Sequence, residues 1–554
     1  MKKFAILAIV IIAFILRVYH VNVNPPSLQW DEVSIGYNAY SILKTAKDEH
    51  GRFLPYDTFV AYGDYKPPFA IYATVPFVAL FGLTEQAVRL PSALFGTAAV
   101  LLTYFLVQEL FGYGLRVTGS KTRNSSLVTE FMPLVSSSLL AFSPWHINLS
   151  RGGFEANIAL FFSGLGVWCI LKARENSRYW YFAWLPFVAA IYTFNSSRVF
   201  TVLLTPALVV FTWGHIKKNV KPFFIGVVIA AIAMAPIMPH LLSKQARLRF
   251  TEVNIFTDLG VVEKSNVRIA REPGSTLGKI VNNRRAGYAY SFLIHFMDNL
   301  RPEFLFITGD GNPKFSIQDV GQLYILEAPF LAIGVIALFT EFPGVASLLL
   351  WWLIAAIIPA ATARETPHAL RILNSLPTWQ LFVAFGILYV SRIAYRASRK
   401  LFTAFCLLLI VFYAFSIIYY LHTYYRHYPV EYSGEWQYGY KEALAKIIPI
   451  ESKYSHVVIT DSIGRPYMYT LFYTRTNPND FFAGNRSYFD AAGFYHVDGF
   501  GKYVFGGKLP GVLDPKTLYI WNSGAVPRGA RVIDTVKLLN GNSVLTIFDN
   551  GSTK

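Results

Sequence analysis

Cysteine is almost missing from this chain of 554 residues. The two that occur, Cys169 and Cys406, each lie inside an apolar run, which excludes a disulfide framework and a cysteine-based zinc site and leaves packing as their role. Charge is scarce as well, at 15% of residues against 54% hydrophobic. With apolar runs recurring over the first three quarters, that balance excludes a soluble enzyme on one anchor and points to a polytopic membrane protein. Acidic residues are the scarcer sign, 33 against 50 basic, for a formal charge of +17. No internal repeat of the kind that marks many transporters is present.

The apolar runs set the topology. Residues 4–23, FAILAIVIIAFILRVYHVNV, match the roughly 20 residues that a bilayer demands. The Met-Lys-Lys start resembles a secretory signal, but the run is long and lacks a small-x-small cleavage site, so it reads as an uncleaved span with its N-terminus inside. Arg17 lies near its outer end, where it can snorkel. Further spans are expected at 88–111, 128–145, 156–172, 180–194, 199–214, 222–241, 322–340, 346–362, 370–390 and 401–421, about eleven in all. The stretch 67–83 is apolar but short and carries Pro76, and it reads as interfacial or re-entrant.

This layout puts Arg116, Lys121 and Arg123, then Lys172, Arg174 and Arg178, then Lys217, Lys218 and Lys221, then Arg392, Arg396, Arg399 and Lys400 on the inside, as the positive-inside rule requires. The excess of positive charge is thereby a matter of topology, and no nucleic-acid partner is expected. The outward segments are the first loop 24–87, short turns, the long loop 242–321, and the tail 422–554. The tail holds a helix-like KEALAKII and strand-like HVVITD, TLYIWN and SVLTIF, the pattern of a small extracytoplasmic α+β domain behind a membrane domain at 1–421.

Ionisable groups gather at the outward ends of different spans. Asp31 and Glu32 follow the first; Lys66 lies in DYKPP; Arg89 opens the second; His146, Arg151 and Glu155 lie in SPWHINLSRGGFEAN. Arg198 sits in YTFNSSRVF, and Arg364, Glu365, His368 and Arg371 in ARETPHALR. A lone Arg or His at a boundary is more often an anchor than a ligand, and Arg89, Asp310 and Lys314 are assigned structural roles. Glu155 can pair with Arg151 at i,i+4 if the helix reaches back that far. Two adjacent carboxylates gain nothing as an anchor and repel each other, so a functional reading is preferred for Asp31.

The order of these features resembles the GT-C class of membrane glycosyltransferases, in its protein O-mannosyltransferase (glycosyltransferase family 39) and aminoarabinose-transferase group. The shared pattern is a first span ending in a Pro-rich stretch and DE, a loop with HGRFLPY and YKPPFAIY, then VRLPSALFG, with SPWHINLSRGGFEANIALFF and TPHALRILNSLP as later segments. It covers most of residues 1–420 and is most specific in the first 110. The resemblance implies a polyprenyl-phosphate sugar donor used on the outer face of the cytoplasmic membrane of a prokaryote, with a protein, glycan or lipid acceptor. It implies Asp31 as the catalytic carboxylate with Glu32 beside it, Glu155 as a second acidic position, and Lys66 and Arg371 near the lipid phosphate. Arg151, Arg198 and His368 would bind substrate as well. Some members of the class use a divalent cation; with no His-x-x-x-His and no dense acidic cluster, none is expected here, and no other cofactor.

The chemistry agrees with an inverting transfer. One carboxylate takes the acceptor's proton, and the leaving lipid phosphate needs positive charge rather than an acid. The alternatives are a lipid or glycolipid flippase, which predicts charges near mid-span, and a non-catalytic scaffold acting through its tail.

Overall fold

In the computed structural model, residues 2–118, 123–243, 246, 253–491 and 493–552 are described, the side chains of 113–129 being left aside. Lys121 and residues 244–245 and 247–252 of the long loop lie outside the described residues.

Seven helices among the described residues are long and apolar enough to cross a membrane: Glu85–Gly112, Glu155–Lys172, Asn195–Ile216, Val220–Leu241, Pro343–Ala361, Leu373–Ala397 and Arg399–Trp436. The other four expected spans are helical but shorter. The first helix, Lys2–Val18, ends where His20 takes a positive φ of 52°. The apolar part of the next, Glu130–Phe142, stops before Ser143–Pro144. Residues 180–194 divide into a 3-10 turn, Ser177–Tyr181, and a short helix, Leu185–Ile191, with Pro186 in its first turn. The segment expected at 322–340 is helical only over Glu327–Glu341. Phe69–Phe81 has 13 residues, about 20 Å at 1.5 Å per residue and short of a bilayer core.

The chain forms two units. One comprises Met1–Arg17, Leu94–Ser150 and Glu155–Tyr420; the other Val18–Ala93, Arg151–Phe154 and Leu421–Lys554. The first is helical, and its core holds Trp180, Phe200, Trp352, Phe382 and Phe385. Two of its helices, Glu327–Glu341 and Thr378–Ala397, cross with their backbones close together. A Cβ on Gly334 would stand 1.9 Å from the Phe382 carbonyl oxygen, and one on Gly386 2.0 Å from that of Phe330. Small residues let two backbones meet in this way, which matters where lipid gives no hydrophobic drive to helix association. Arg17 departs from the expectation of snorkelling. It is fully buried and donates to the carbonyls of Ala13 (2.9 Å), Leu140 (3.2 Å) and Ala141 (3.2 Å), with His146 Nδ1 at 2.8 Å. A guanidinium with carbonyl acceptors close by need not reach for water.

In the second unit the tail forms a mixed seven-stranded sheet, in the order β4-β5-β6-β3-β7-β9-β8. The strands are β3 (His456–Ile459), β4 (Asn485–Phe489), β5 (Tyr495–Phe500), β6 (Tyr503–Phe505), β7 (Thr517–Asn522), β8 (Arg531–Lys537) and β9 (Ser543–Asp549). The three strands and the helix Tyr440–Ile447 read from sequence are present. The parallel pairs β6–β3 and β3–β7 form the buried centre, and the exposed β4 forms an edge. The first loop, expected at 24–87 as part of the membrane domain, falls within the segment Val18–Ala93 that packs with this tail: Tyr469 donates to the Leu28 carbonyl at 2.9 Å, and Lys441 pairs with Glu85 at 2.5 Å.

Gly334→Val should cost at least about 1–3 kcal/mol, because two backbones must part, whereas Gly214→Ala, with nothing within 4 Å of its added Cβ, should be neutral or better. Thermal unfolding in detergent decides it; equal melting temperatures for the two variants would disprove the close-packed crossing.

Candidate functional site

The chain reaches its first acidic pair through Asn24-Pro25-Pro26-Ser27-Leu28-Gln29, after which the helix Trp30–Thr45 begins. Asp31 and Glu32 occupy its first turn, where carboxylates favour the positive helix end. Neighbours on a helix point about 100° apart, and the two separate accordingly: Glu32 is fully buried, while the Asp31 side chain keeps 35% of its exposure.

Glu32 is committed to structure. Oε2 accepts from the backbone N–H of Gln29 at 3.0 Å, one half of a capping box. Oε1 accepts from Gly153 N–H at 2.8 Å and from Arg89 Nε at 2.8 Å. Arg89, equally buried, spends its other donors on Glu32 Oε2 (3.2 Å) and on the carbonyls of Val21 (2.9 Å), Pro25 (2.8 Å) and Ser27 (2.5 Å). Its guanidinium stands 5.7 Å from the ring centre of Trp436. All five N–H groups are used, the condition under which a buried ion pair is tolerated.

Asp31 faces Lys66. The ammonium lies 2.8 Å from Oδ1 and is itself only 7% exposed. Lys66 is delivered by the hairpin β1 (Phe59–Ala61) and β2 (Asp64–Lys66), in register Phe59↔Lys66. Its two-residue turn places Tyr62 at φ 60° and Gly63 at φ 96°, both left-handed as a type I′ hairpin requires. A Cβ at Gly63 would also meet Gly493 O at 2.7 Å. Tyr62 donates to the Trp30 carbonyl at 2.8 Å, which ties the turn to the start of the helix. Burial, with the charges of Glu49 and Asp31 nearby, pushes the Tyr62 phenol well above the ordinary tyrosine range. Over the same ring, at 4.8 Å, lies the guanidinium of Arg465 from the tail. Sequence reasoning missed Arg465, whose one signal is the Gly-Arg-Pro turn that opens the helix Pro466–Tyr473.

Two turns along from Asp31, Asn38 donates to Glu49 Oε1 (3.4 Å) and accepts from the Glu49 N–H (3.0 Å). Burial pushes this carboxyl up to about 8. It holds its proton at neutral pH and braces the face of the helix that carries Asp31.

Arg151 ends the helix Pro144–Arg151 and Glu155 starts the next, so no continuous helix joins them. Arg151 is buried in the second unit, donating to Tyr424 Oη at 3.0 Å and the Asn24 carbonyl at 2.8 Å, with the Tyr424 and Tyr425 ring centres at 5.2 and 5.1 Å. Asp31, Glu32, Lys66 and Arg151 therefore share one unit, while Glu155, Arg198, His368 and Arg371 belong to the other. Arg198 lies in the first turn of Asn195–Ile216. His368 and Arg371 meet about Glu365, at 3.8 and 4.0 Å. His368 is stacked on Phe315 at 4.9 Å, and burial lowers its pKa well below the usual histidine value, so it stands neutral. Asp310 holds this segment by accepting from Ala369 N–H at 2.6 Å. Among the described residues, no three His, Cys, Asp or Glu side chains group as a metal site.

No sequence-family profile matches the chain. It is 25% identical over 239 residues to YycA of Bacillus subtilis (strain 168), provisionally named a mannosyltransferase; the match covers 41% of this chain and 31% of that protein. It is 24% identical over 173 residues to YkcB of the same strain, named in the same way, covering 31% of this chain and 22% of that protein. The chain thus matches less than a third of the length of these relatives. Among solved structures, ArnT from Cupriavidus metallidurans bound to undecaprenyl phosphate aligns with a TM-score of 0.52 at 12% identity, over 100% of this chain and 98% of that one. At that identity the likeness is one of fold.

Breaking the buried pair with Arg89→Met or Glu32→Gln should destabilise by about 3–5 kcal/mol, and the double variant by clearly less than the sum; strict additivity in thermal unfolding would show that the pair does not act as a unit. The pH dependence follows from Glu49, whose folded pKa is raised. Its stabilising share is full below the unfolded value of about 4.5 and is lost as pH rises toward about 8. Melting temperatures of the parent chain should therefore fall across that window more steeply than those of Glu49→Gln, and parallel curves would refute the assignment.

Proposed function

We propose that this multi-pass membrane protein, whose fold is that of the GT-C glycosyltransferases, moves a sugar from a polyprenyl-phosphate carrier to an acceptor with inversion at the anomeric carbon. The observation that carries the reading is the pair at the start of the Trp30–Thr45 helix: a partly open carboxylate, Asp31, with the Lys66 ammonium 2.8 Å away.

In the proposed step the acceptor hydroxyl or amine attacks the anomeric carbon, its proton passes to Asp31, and the bond from that carbon to the phosphate oxygen breaks. The carrier leaves as a phosphate monoester with one more negative charge. Lys66 serves in two ways: its ion pair orients the Asp31 carboxylate, and it offers charge-assisted hydrogen bonds to the phosphate as charge develops. Glu32 and Arg151, both buried and hydrogen-bonded, are positioning residues on this reading. Arg465 is a further candidate to meet the phosphate. Glu155, Arg198, His368 and Arg371 keep the roles that the family resemblance implies, as proposals.

Three facts support the carrier and the side of the membrane. ArnT, which shares the fold, was solved with undecaprenyl phosphate. The relatives carry mannosyltransferase names, which favours a hexose. The basic residues of the short loops favour use of the outer face of the cytoplasmic membrane. Metal is not called for: Glu32 is spent on Arg89, and the remaining carboxylate already has a cation beside it.

Asp31→Asn should lower transfer from a radiolabelled polyprenyl-phosphate hexose by about 10²–10⁴-fold while leaving thermal stability unchanged, and EDTA should leave the parent rate unchanged. Full activity of Asp31→Asn would sink the assignment, and loss of activity on chelation, restored by a divalent cation, would overturn the metal-free step.

A further inference from the structure

Among the described residues, the long loop between the helices Val220–Met234 and Glu327–Glu341 carries a run of three successive helices that the catalytic reading does not use, Leu259–Arg271, Thr276–Val281 and Arg284–Asp298. They are tied to the end of the candidate span Pro343–Ala361. Ile255 N–H donates to the Thr362 carbonyl at 3.0 Å, Arg364 N–H to the Val253 carbonyl at 2.9 Å, and His295 Nδ1 lies 2.8 Å from the Ala363 carbonyl. This helical hairpin therefore adjoins the end of a helix long and apolar enough to span a membrane.

Its outward side is apolar. Tyr290 (68% exposed), Leu293 (59%), Ile294 and Met297 follow at i, i+3, i+4 and i+7 on one face, and Leu277 (71%) and Ile280 (62%) project from the neighbouring short helix. Side chains of this size in water would cost free energy, and a helix with an apolar face and basic flanks lies in the interface of a bilayer. Over residues 258–290 there are six basic side chains, Lys264, Arg268, Arg271, Lys279, Arg284 and Arg285, against three acidic. Lys264 and Arg268, one helical turn apart, form no ion pair with the described residues, and they line a cavity of about 640 Å³ whose other walls include Val281, Asn283, Ala286 and Tyr290, with Asp258, the carboxylate on its rim, accepting from the Gly260 N–H at 2.9 Å. Cations, amide groups and apolar walls together fit a phosphate on an apolar body.

We propose that this hairpin is a bilayer-docking platform and that its cavity takes the phosphate of an anionic phospholipid from the surrounding leaflet. The apolar face enters the acyl region, while Lys264 and Arg268 neutralise the headgroup. This site shares no residue with the Asp31–Lys66 pair, and its test does not involve sugar transfer.

The full chain carrying Leu293→Cys, with Cys169→Ser and Cys406→Ser, is placed in detergent, in phosphatidylcholine nanodiscs, and in nanodiscs of phosphatidylcholine with phosphatidylglycerol. Reaction with a membrane-impermeant maleimide is then timed. Val512→Cys, on an exposed tail loop, reports the unprotected rate. Labelling at 293 should slow about tenfold in the phosphatidylglycerol nanodiscs, and K264Q/R268Q should return it to the phosphatidylcholine rate, since each basic group near an anionic surface contributes on the order of a tenfold factor or less. Native mass spectrometry should show phosphatidylglycerol retained by the parent and lost by K264Q/R268Q. Equal rates at 293 and 512 in every bilayer would overturn the docking. Protection that ignores both phosphatidylglycerol and K264Q/R268Q would overturn the phosphate site. Protection that needs added undecaprenyl phosphate would assign the cavity to the carrier lipid instead.

Discussion

The buried pair between Glu32 and Arg89 is the interaction on which the candidate site rests. A guanidinium and a carboxylate removed from water are costly unless every donor and acceptor is met, and here the chain is wound so as to meet them. Three carbonyls between Val21 and Ser27 turn toward Arg89, and the N–H groups of Gln29 and Gly153 turn toward Glu32. That winding fixes where the Trp30–Thr45 helix begins. With Glu32 held inward, helix geometry leaves Asp31 on a different side, partly open and beside Lys66. The buried member of the acidic pair thus sets the direction of the other.

A second constraint is the hairpin turn at Tyr62–Gly63. Its left-handed backbone brings β2 back along β1, carries Lys66 to Asp31, and hooks the Tyr62 phenol under the Trp30 carbonyl. The tail completes the surroundings. Arg465 lies over Tyr62, and Tyr469 holds the Leu28 carbonyl. The tail is thus part of the scaffold of the acidic pair, and removing it would leave buried polar groups of the first loop without partners.

Much of the site was legible in the sequence because it is local. Asp31, Glu32 and the Lys-Pro-Pro stretch stand near one another in the chain, and adjacent helical residues must point apart. The structural role assigned to Arg89 also came from its position at the mouth of a span. Long-range pairing was not legible. Arg17 looked like a snorkelling anchor, since no local pattern reveals carbonyls 123 and 124 residues away. Arg465 was overlooked for the same reason, and four strands of the tail sheet were missed because they are short, exposed or bounded by glycines.

Composition and periodicity alone determined that this is a polytopic helical membrane protein with a mixed C-terminal domain, because apolar length and alternation are properties of the chain itself. The order of short motifs pointed to the fold that this chain shares with ArnT. Only the tertiary structure decided which carboxylate is buried on an arginine and which stays partly open beside a lysine, which arginines are buried as braces, and that the first loop and the tail build one unit. Those are questions of which group desolvates which, and desolvation is settled by contacts between residues far apart in the chain.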